Sequence, residues 1–542
     1  MSEFGVNSVY EAFVRTTNKW PDNGFIAAPA YAGRDYHPAG IEYSYREVLA
    51  AADQLKTKYA AAGFGVGHRV ALLLEMRPEF FFHFLALNAL GVCIVPINPD
   101  YRHDEMVYQM DHSDSDLIVT LGKRRDDLVK VARDCSMQPA VVSFEDFPNI
   151  PPSPGRQAPG ASITAATENS LLYTSGTTGR PKGCILTNEY YLTSGSWYIS
   201  RGGMMAINEH QDRLYNPLPL FHMNCLCVSG MAMMLSGGCL IVPDRFHPSH
   251  WWQDVVSTKA TIIHYLGVVV PMLLNQPDND LERSHNIRFG VGGGVEPSLH
   301  GPFEDRFDFP LIELWGMTET GRVLTNHVEP RHIDTRAFGR SVDGFEAMVV
   351  DDEDNEVAVG TEGELVVRHS AEAPRKGLFS GYWKNSEATA EAWKNDWFHT
   401  GDTVRQAEDG MLYFMDRKKN IIRRSGENIA AAEIEACLQG HEKVAQVAVI
   451  AVPDEVREEE VMACVIAGEG IAAGENLAEE LFEYSDQRLA YFKSPGWFIF
   501  VKSLPTTGTQ KVQKQNIFAD GENPTKRPDA IDFRHRKKRN KG

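Results

Sequence analysis

Residues 173–183 read Tyr-Thr-Ser-Gly-Thr-Thr-Gly-Arg-Pro-Lys-Gly, and no other stretch constrains the fold of this chain as strongly. The hydroxyls of Ser175, Thr177 and Thr178 crowd around Gly176 and Gly179, Thr174 opens the segment, and the cation Lys182 closes it. Glycine lets a backbone approach an anion closely and aim successive N–H groups at it. Hydroxyls add donors and a lysine adds a point charge. The apolar lead-in Leu171-Leu172-Tyr173 and the apolar exit Cys184-Ile185-Leu186 predict two strands joined by this loop. The composition suits a polyphosphate cradle; it also suits a Ser/Thr/Gly-rich surface turn. The common G-x-x-x-x-G-K-[ST] loop is absent.

The flanking sequence predicts an α/β architecture. Residues 69–76 form a buried-strand run, and a helical run covers 78–90 with Pro78 near its start and Gly91 just past its end. A second strand follows at 92–95, so the three make a parallel βαβ unit. Residues 311–314 predict another short apolar strand ending at Trp315, which puts polar residues at a strand's carboxyl edge, where α/β folds bind ligands. Residues 148–160, with five prolines, read as a linker. From about Gly344 the texture changes to short strands (347–350, 364–367) around an acidic turn, a β-rich subdomain. After Asp416 a helix (430–439) and a strand (444–452) predict a compact α+β tail. A chain of 542 residues exceeds one core. The expected fold class is α/β: a large N-terminal domain of α/β subdomains plus a small β-rich one, and a small mobile α+β C-terminal domain.

Composition narrows the partners. A formal net charge of −19 argues against a general nucleic-acid or anionic-membrane binder. The basic end, Arg534-His535-Arg536-Lys537-Lys538-Arg539-Asn540-Lys541, is the exception, and a solvated, disordered tail is expected there, with contact to an acidic partner as the alternative. The most apolar stretch, 261–274, contains His264 and Pro271 and is too short to span a bilayer. Eight scattered cysteines predict buried thiols, because the lone close pair, Cys225 and Cys227, makes a poor zinc site. No signal peptide is expected from residues 1–7, so a cytoplasmic location follows.

The 173–183 segment resembles the signature of the adenylate-forming superfamily, which includes acyl-CoA synthetases, firefly-type luciferases and adenylation domains of peptide synthetases. Four further blocks resemble that family in order: Trp315-Gly316-Met317-Thr318-Glu319-Thr320, His399-Thr400-Gly401-Asp402, Asp416-Arg417-Lys418-Lys419 with Gly426-Glu427-Asn428-Ile429, and 504–511 ending in Lys511. The resemblance implies an N-terminal domain over 1–417 and a mobile C-terminal domain over 418–542. It implies ATP held by Thr174, Ser175, Gly176, Thr177, Thr178, Gly179 and Lys182, with Gly292, Gly293 and Gly294 giving close backbone approach. Trp315, Gly316 and Met317 would flank the nucleotide, and Asp402 and Arg417 its ribose. Thr318 would reach the α-phosphate and Glu319 would ligate Mg²⁺, although a helix N-cap pair is the bland alternative for these two. Lys511 is the implied catalytic lysine, Lys419 the hinge, and Gly426 with Arg423 the coenzyme A tunnel. Gln510 stands where the family usually has glycine.

The implied activity is an AMP-forming acyl-CoA synthetase: a carboxylic acid and ATP give acyl-AMP and pyrophosphate, then coenzyme A takes the acyl group. A carrier-protein loading enzyme and a luciferase-like oxygenase are the alternatives, and a homodimer is left open. Pro217-Leu218-Pro219-Leu220-Phe221-His222 resembles the segment whose histidine borders the carboxylate pocket. Amino-acid-activating relatives place an Asp where His222 stands, which argues against an α-amino acid. The run from Phe221 to Cys227 looks most like the carnitine/crotonobetaine-CoA ligase branch. A quaternary ammonium acid would call for an aromatic cage or a carboxylate, for which Trp197, Tyr198 and Glu296 are candidates.

Overall fold

A computed structural model describes residues 4–145, 147, 150–155, 161–174, 180–417, 421–505, 512–519 and 521–538, with Asp416, Arg417, Ala432 and Gln515 described by backbone alone. The expected phosphate loop 175–179, the hinge Lys419 and the lysine Lys511 therefore lie outside the described residues. Packing divides the chain into two units: Met1–Pro99, Met110–Leu172 and Gly183–Asp416 in one, and Asp100–Gln109, Tyr173–Lys182 and Arg417–Gly542 in the other.

The predicted βαβ unit forms from the strand Arg69–Leu73, the helix Glu79–Asn88 and the strand Cys93–Pro96, the strands being parallel. The helix carries Phe80, Phe81, Phe84, Leu85 and Leu87, all buried. A helix apolar all round must be enclosed on every side. Gly91 ends the segment at φ 70°, a backbone state that glycine adopts without a Cβ penalty. These strands belong to a seven-stranded sheet that also holds Glu168–Thr174 and Lys182–Thr187, the two strands expected to flank the phosphate loop.

A second, eight-stranded sheet positions residues 292–294 and 315–319 of the candidate site. Its neighbouring strands Arg213–Tyr215, Ile262–Leu266, Phe289–Gly293 and Leu311–Gly316 run parallel. Their carboxyl ends therefore share one edge. Leu311–Gly316 is longer than the 311–314 strand expected from sequence: Trp315 and Gly316 remain in the strand because they pair with Leu324 and Val323 of the antiparallel Val323–Thr325. The expected β-rich region is an antiparallel sheet that includes Glu346–Val350, Glu362–Arg368, Trp397–Gln406 and Leu412–Arg417.

The C-terminal unit is built on the long hairpin Val444–Asp454 and Glu458–Ala467, extended by Ile421–Arg424, Glu427–Ala430, Trp497–Phe500 and Ile531–Asp532. The helices Ala431–Gln439 and Glu475–Asp486 pack on it through Ile434, Leu438, Leu481 and Phe482. Residues 534–537 of the basic end pack against the rest of the C-terminal unit, contrary to the solvated tail expected from their charge. Phe533 stacks on Phe482 at 5.4 Å, and this apolar anchor draws the flanking cations onto acidic partners. Arg534 pairs with Asp454 (2.9 Å), Arg536 with Glu479 (2.7 Å), and Lys537 is enclosed against Glu460.

Candidate active site

Residues 317–322 connect the strands Leu311–Gly316 and Val323–Thr325, so Thr318 and Glu319 sit in a hairpin loop at the carboxyl edge of the sheet. No helix follows them, which removes the N-cap explanation. The loop is held by the Thr320 hydroxyl, which donates to the Met317 carbonyl (2.9 Å) and lies 2.8 Å from the Arg322 carbonyl. The Tyr190 hydroxyl donates to the Thr318 carbonyl (2.7 Å), and the Phe379 N–H donates to the Glu319 carbonyl (2.9 Å). Gly316 is required by packing, since a Cβ there would stand 2.3 Å from Val323 Cγ1.

Glu319 is 4% exposed. Its Oε1 accepts from the Tyr382 hydroxyl at 2.7 Å, while Oε2 is buried and makes no hydrogen bond among the described residues. A buried carboxylate oxygen left without a donor is costly. A hard cation satisfies such an oxygen directly. The residue present thus fits a divalent metal.

Trp315 and Asp402 come from separate sheets. The Trp315 indole N–H donates to Asp402 Oδ2 at 2.8 Å, with Trp315 5% exposed and Asp402 fully buried. Thr400, Gly401 and Asp402 are not an isolated turn; they lie within the strand Trp397–Gln406, where the Thr400 hydroxyl donates to the Leu365 carbonyl (2.6 Å).

Gly292 and Gly293 end the strand Phe289–Gly293, and Gly294 follows at φ 89°. A Cβ on Gly292 would fall 2.3 Å from the Tyr265 carbonyl oxygen, so close strand packing demands this glycine. Beneath them Glu313, which the sequence did not single out, accepts from Gly294 N–H (2.9 Å) and from the Tyr265 hydroxyl (2.9 Å). Burial pushes its carboxyl pKa up to about 7.

His222 closes a turn through its N–H to the Pro219 carbonyl (3.1 Å), and its ring meets that of Phe221 at 4.6 Å. A π-helix, Asn224–Ser229, begins two residues later and runs into the helix Gly230–Ser236. Wide turns of this kind are rare and concentrate at functional positions. Of the three candidate cage residues, Trp197 is buried with the Arg201 guanidinium over its ring at 4.2 Å. Glu296 is exposed and pairs with Arg336 (3.5 Å), and Tyr198 is fully buried with its hydroxyl on His264.

In the C-terminal unit Gly426 forms the turn between Ile421–Arg424 and Glu427–Ala430, and the Arg423 N–H donates to Glu459 (2.6 Å). Cys225 and Cys227 are buried free thiols, and no cluster of three metal-ligating side chains occurs among the described residues.

The profile of the AMP-binding enzyme family matches residues 14–383, and that of the AMP-binding enzyme C-terminal domain matches 433–511. This chain belongs to the AMP-binding enzyme family. A crotonobetaine/carnitine–CoA ligase of Escherichia coli O17:K52:H18 is 30% identical over 496 residues, covering 88% of this chain and 93% of that protein. An o-succinylbenzoate CoA synthetase of Bacillus subtilis, solved with a product analogue, shares the fold with a TM-score of 0.80 at 23% identity over 93% of this chain and 98% of its own. ATP-bound MatB from Rhodopseudomonas palustris superposes with a TM-score of 0.64 at 25% identity, over 94% and 98%.

Proposed function

We propose that this chain is an AMP-forming acid–thiol ligase acting on a carboxylic acid, ATP and coenzyme A. The observation that carries the reading is the pairing of Glu319, buried with one unfilled oxygen, and the locked Trp315–Asp402 pair. An acid does not acylate a thiol directly, because the leaving group would be oxide. In the first half-reaction a carboxylate oxygen attacks the α-phosphorus of ATP, the P–O bond to the β-phosphate breaks, and pyrophosphate leaves. In the second, the coenzyme A sulfur attacks the acyl carbon, the thiol gives up its proton, and AMP leaves as the thioester forms.

Each residue has a separable part in this reading. The segment 174–179 and Lys182 hold the polyphosphate. Trp315 offers a flat face beside adenine, Asp402, oriented by the indole N–H, accepts from ribose hydroxyls, and Arg417 donates to them. Gly292, Gly293, Gly294, Gly316 and Met317 admit the nucleotide and acyl group, and His222 borders the carboxylate. Thr318 donates toward the α-phosphate. Glu319 would hold Mg²⁺, whose charge would offset that of the phosphates. Lys511 brings a mobile cation to the attacking carboxylate. The division falls at 1–417 and 418–542, with rotation about Lys419 withdrawing Lys511 and presenting Gly426 and Arg423 to the pantetheine arm. The substrates and the free thiols fit a cytoplasmic location, and no helix among the described residues is long and apolar enough to cross a membrane.

The test is acid-dependent pyrophosphate release across a panel of carboxylic acids, with and without coenzyme A, in wild type and Lys511→Ala. The variant should lose adenylate formation yet still convert pre-made acyl-AMP to thioester. Equal loss in both halves overturns the role of Lys511, and release without any thioester overturns coenzyme A as acceptor.

A further inference from the structure

A chain of buried hydrogen bonds next to His222 has its polarity fixed by the backbone. Asn216 follows the strand Arg213–Tyr215, and its Oδ1 accepts from the Leu218 N–H at 2.9 Å. A backbone N–H only donates, so Asn216 must present its Nδ2 on the other side. That Nδ2 donates to Ser229 Oγ (2.7 Å) and to Asn224 Oδ1 (3.0 Å). Asn224 Oδ1 lies 2.8 Å from His264 Nδ1 as well, so Nδ1 carries the proton and donates. His264 Nε2 is then an acceptor and takes the Tyr198 hydroxyl at 3.0 Å. Burial holds the His264 pKa down to about 3, in keeping with a neutral ring.

Asn216, Ser229, His264 and Tyr198 are all fully buried, whereas Asn224 is only part-buried. Its Oδ1 is committed twice. Its Nδ2, with two N–H bonds, makes no hydrogen bond among the described residues. This donor pair stands on the first turn of the π-helix, two residues from His222, and His264 comes from a strand parallel to and paired with the one ending in Gly292 and Gly293. The other face of that strand, Ile263 and Tyr265, packs into an apolar cluster with Trp251, so His264 is turned to the helix bearing Tyr198. A core that needed only filling would take apolar side chains here, since partly satisfied polar networks are costly.

We propose that Asn224 Nδ2 reads the acyl chain by donating a hydrogen bond to an oxygen within a few bonds of the carboxylate. The acid is thus a hydroxy- or oxo-acid rather than a plain alkyl acid. This rests on the ligase reading and on His222 bordering the carboxylate. The test compares 3-hydroxy and 3-oxo acids with the unsubstituted acid of equal chain length, by kcat/KM for pyrophosphate release, in wild type, Asn224→Asp and Ser229→Ala. Asn224→Asp keeps oxygens for Asn216 and His264 while removing the donor. The expected result is wild-type preference for the oxygenated acids, lowered ~10-fold or more in Asn224→Asp, with the unsubstituted acid little changed. Ser229→Ala, which disturbs the network without touching the donor, should leave the preference intact. Melting temperatures identify loss of fold, and Asn224→Leu repeats the donor deletion without adding charge. If both donor-less variants slow each pair equally, or the wild type prefers the alkyl acids, this inference is overturned alone. If no acid elicits pyrophosphate release from the wild type, the ligase reading falls and takes this inference with it.

Discussion

Glu319 and Glu460 are both nearly sealed from solvent, at 4% and 0% exposure, yet their oxygens are used in opposite ways. Glu460, in the strand Glu458–Ala467, accepts from Arg424 Nε at 2.6 Å, from the Val461 N–H at 2.8 Å and from the Lys537 ammonium. Every oxygen is engaged, and the group ties the C-terminal segment to the hairpin carrying Gly426. Glu319, in a short loop between strands, has one oxygen on Tyr382 and one with no hydrogen bond among the described residues. Burial of a carboxylate does not by itself mark a functional site, because structural ion pairs are buried too. The unfilled oxygen is what distinguishes the two.

The largest effect expected from this contrast is at Glu460. Glu460→Ala leaves Arg424 and Lys537 enclosed without their shared anion, and breaking a buried ion pair costs about 3–5 kcal/mol. Denaturant unfolding of the full chain measures it. Lys537→Met should cost less, since the Arg424–Glu460 pair persists and burial already holds the Lys537 pKa down to about 7. Equal tolerance of both changes would mean that the network is ornamental.

Glu319→Gln tests the other half of the comparison. The amide keeps an oxygen for Tyr382 and removes the negative charge, so the loop should hold its shape while ATP–pyrophosphate exchange falls ~10²–10³-fold. Melting should shift little. A variant that is destabilised but still exchanges would place Glu319 with Glu460, among the structural carboxylates.

A third carboxylate, Glu313, lies between these cases: buried, hydrogen-bonded at both oxygens, and raised to about 7 by its enclosure. Because its folded-state pKa lies above the unfolded value, its stabilising contribution is complete below about pH 4.5 and is lost as pH rises through 7. The loss is on the order of 3 kcal/mol for a shift of this size. Glu313→Gln should flatten that decline. Melting curves across this pH range should show the wild type losing ground to the variant, and parallel curves would contradict the assignment.

The strand–helix–strand runs were legible because they are local: periodicity, Pro78 and Gly91 all act within one element. The blocks holding Trp315, Glu319 and Asp402 were legible as short patterns, but the Trp315–Asp402 hydrogen bond joins residues 87 apart and depends on how two sheets pack. The Asn216–Asn224–His264 network carries no local pattern at all, since each member is an ordinary polar residue until the strands align. The basic end misled for a related reason. Its charge density suggested solvation, whereas its partners Asp454, Glu460 and Glu479 lie 80, 77 and 57 residues away and Phe533 supplies the anchor.

The smallest effect belongs to Gly426, where two explanations compete. The family resemblance assigns it to the coenzyme A tunnel, which a side chain would block. The structure adds a reason of its own: Ser425 and Gly426 form a two-residue hairpin turn with φ of 51° and 88°, and both need the left-handed region. Gly426→Ala should therefore lose about 1 kcal/mol of stability through backbone strain alone. This makes alanine an ambiguous probe of the tunnel. Asparagine separates the readings, because it tolerates the left-handed conformation while adding a larger side chain. If the tunnel reading holds, Gly426→Asn melts near the wild type and forms adenylate normally, yet fails to transfer the acyl group to coenzyme A. If the turn is the whole reason for the glycine, the same variant carries out both half-reactions at near-normal rates, and Gly426 joins Glu460 as part of the scaffold.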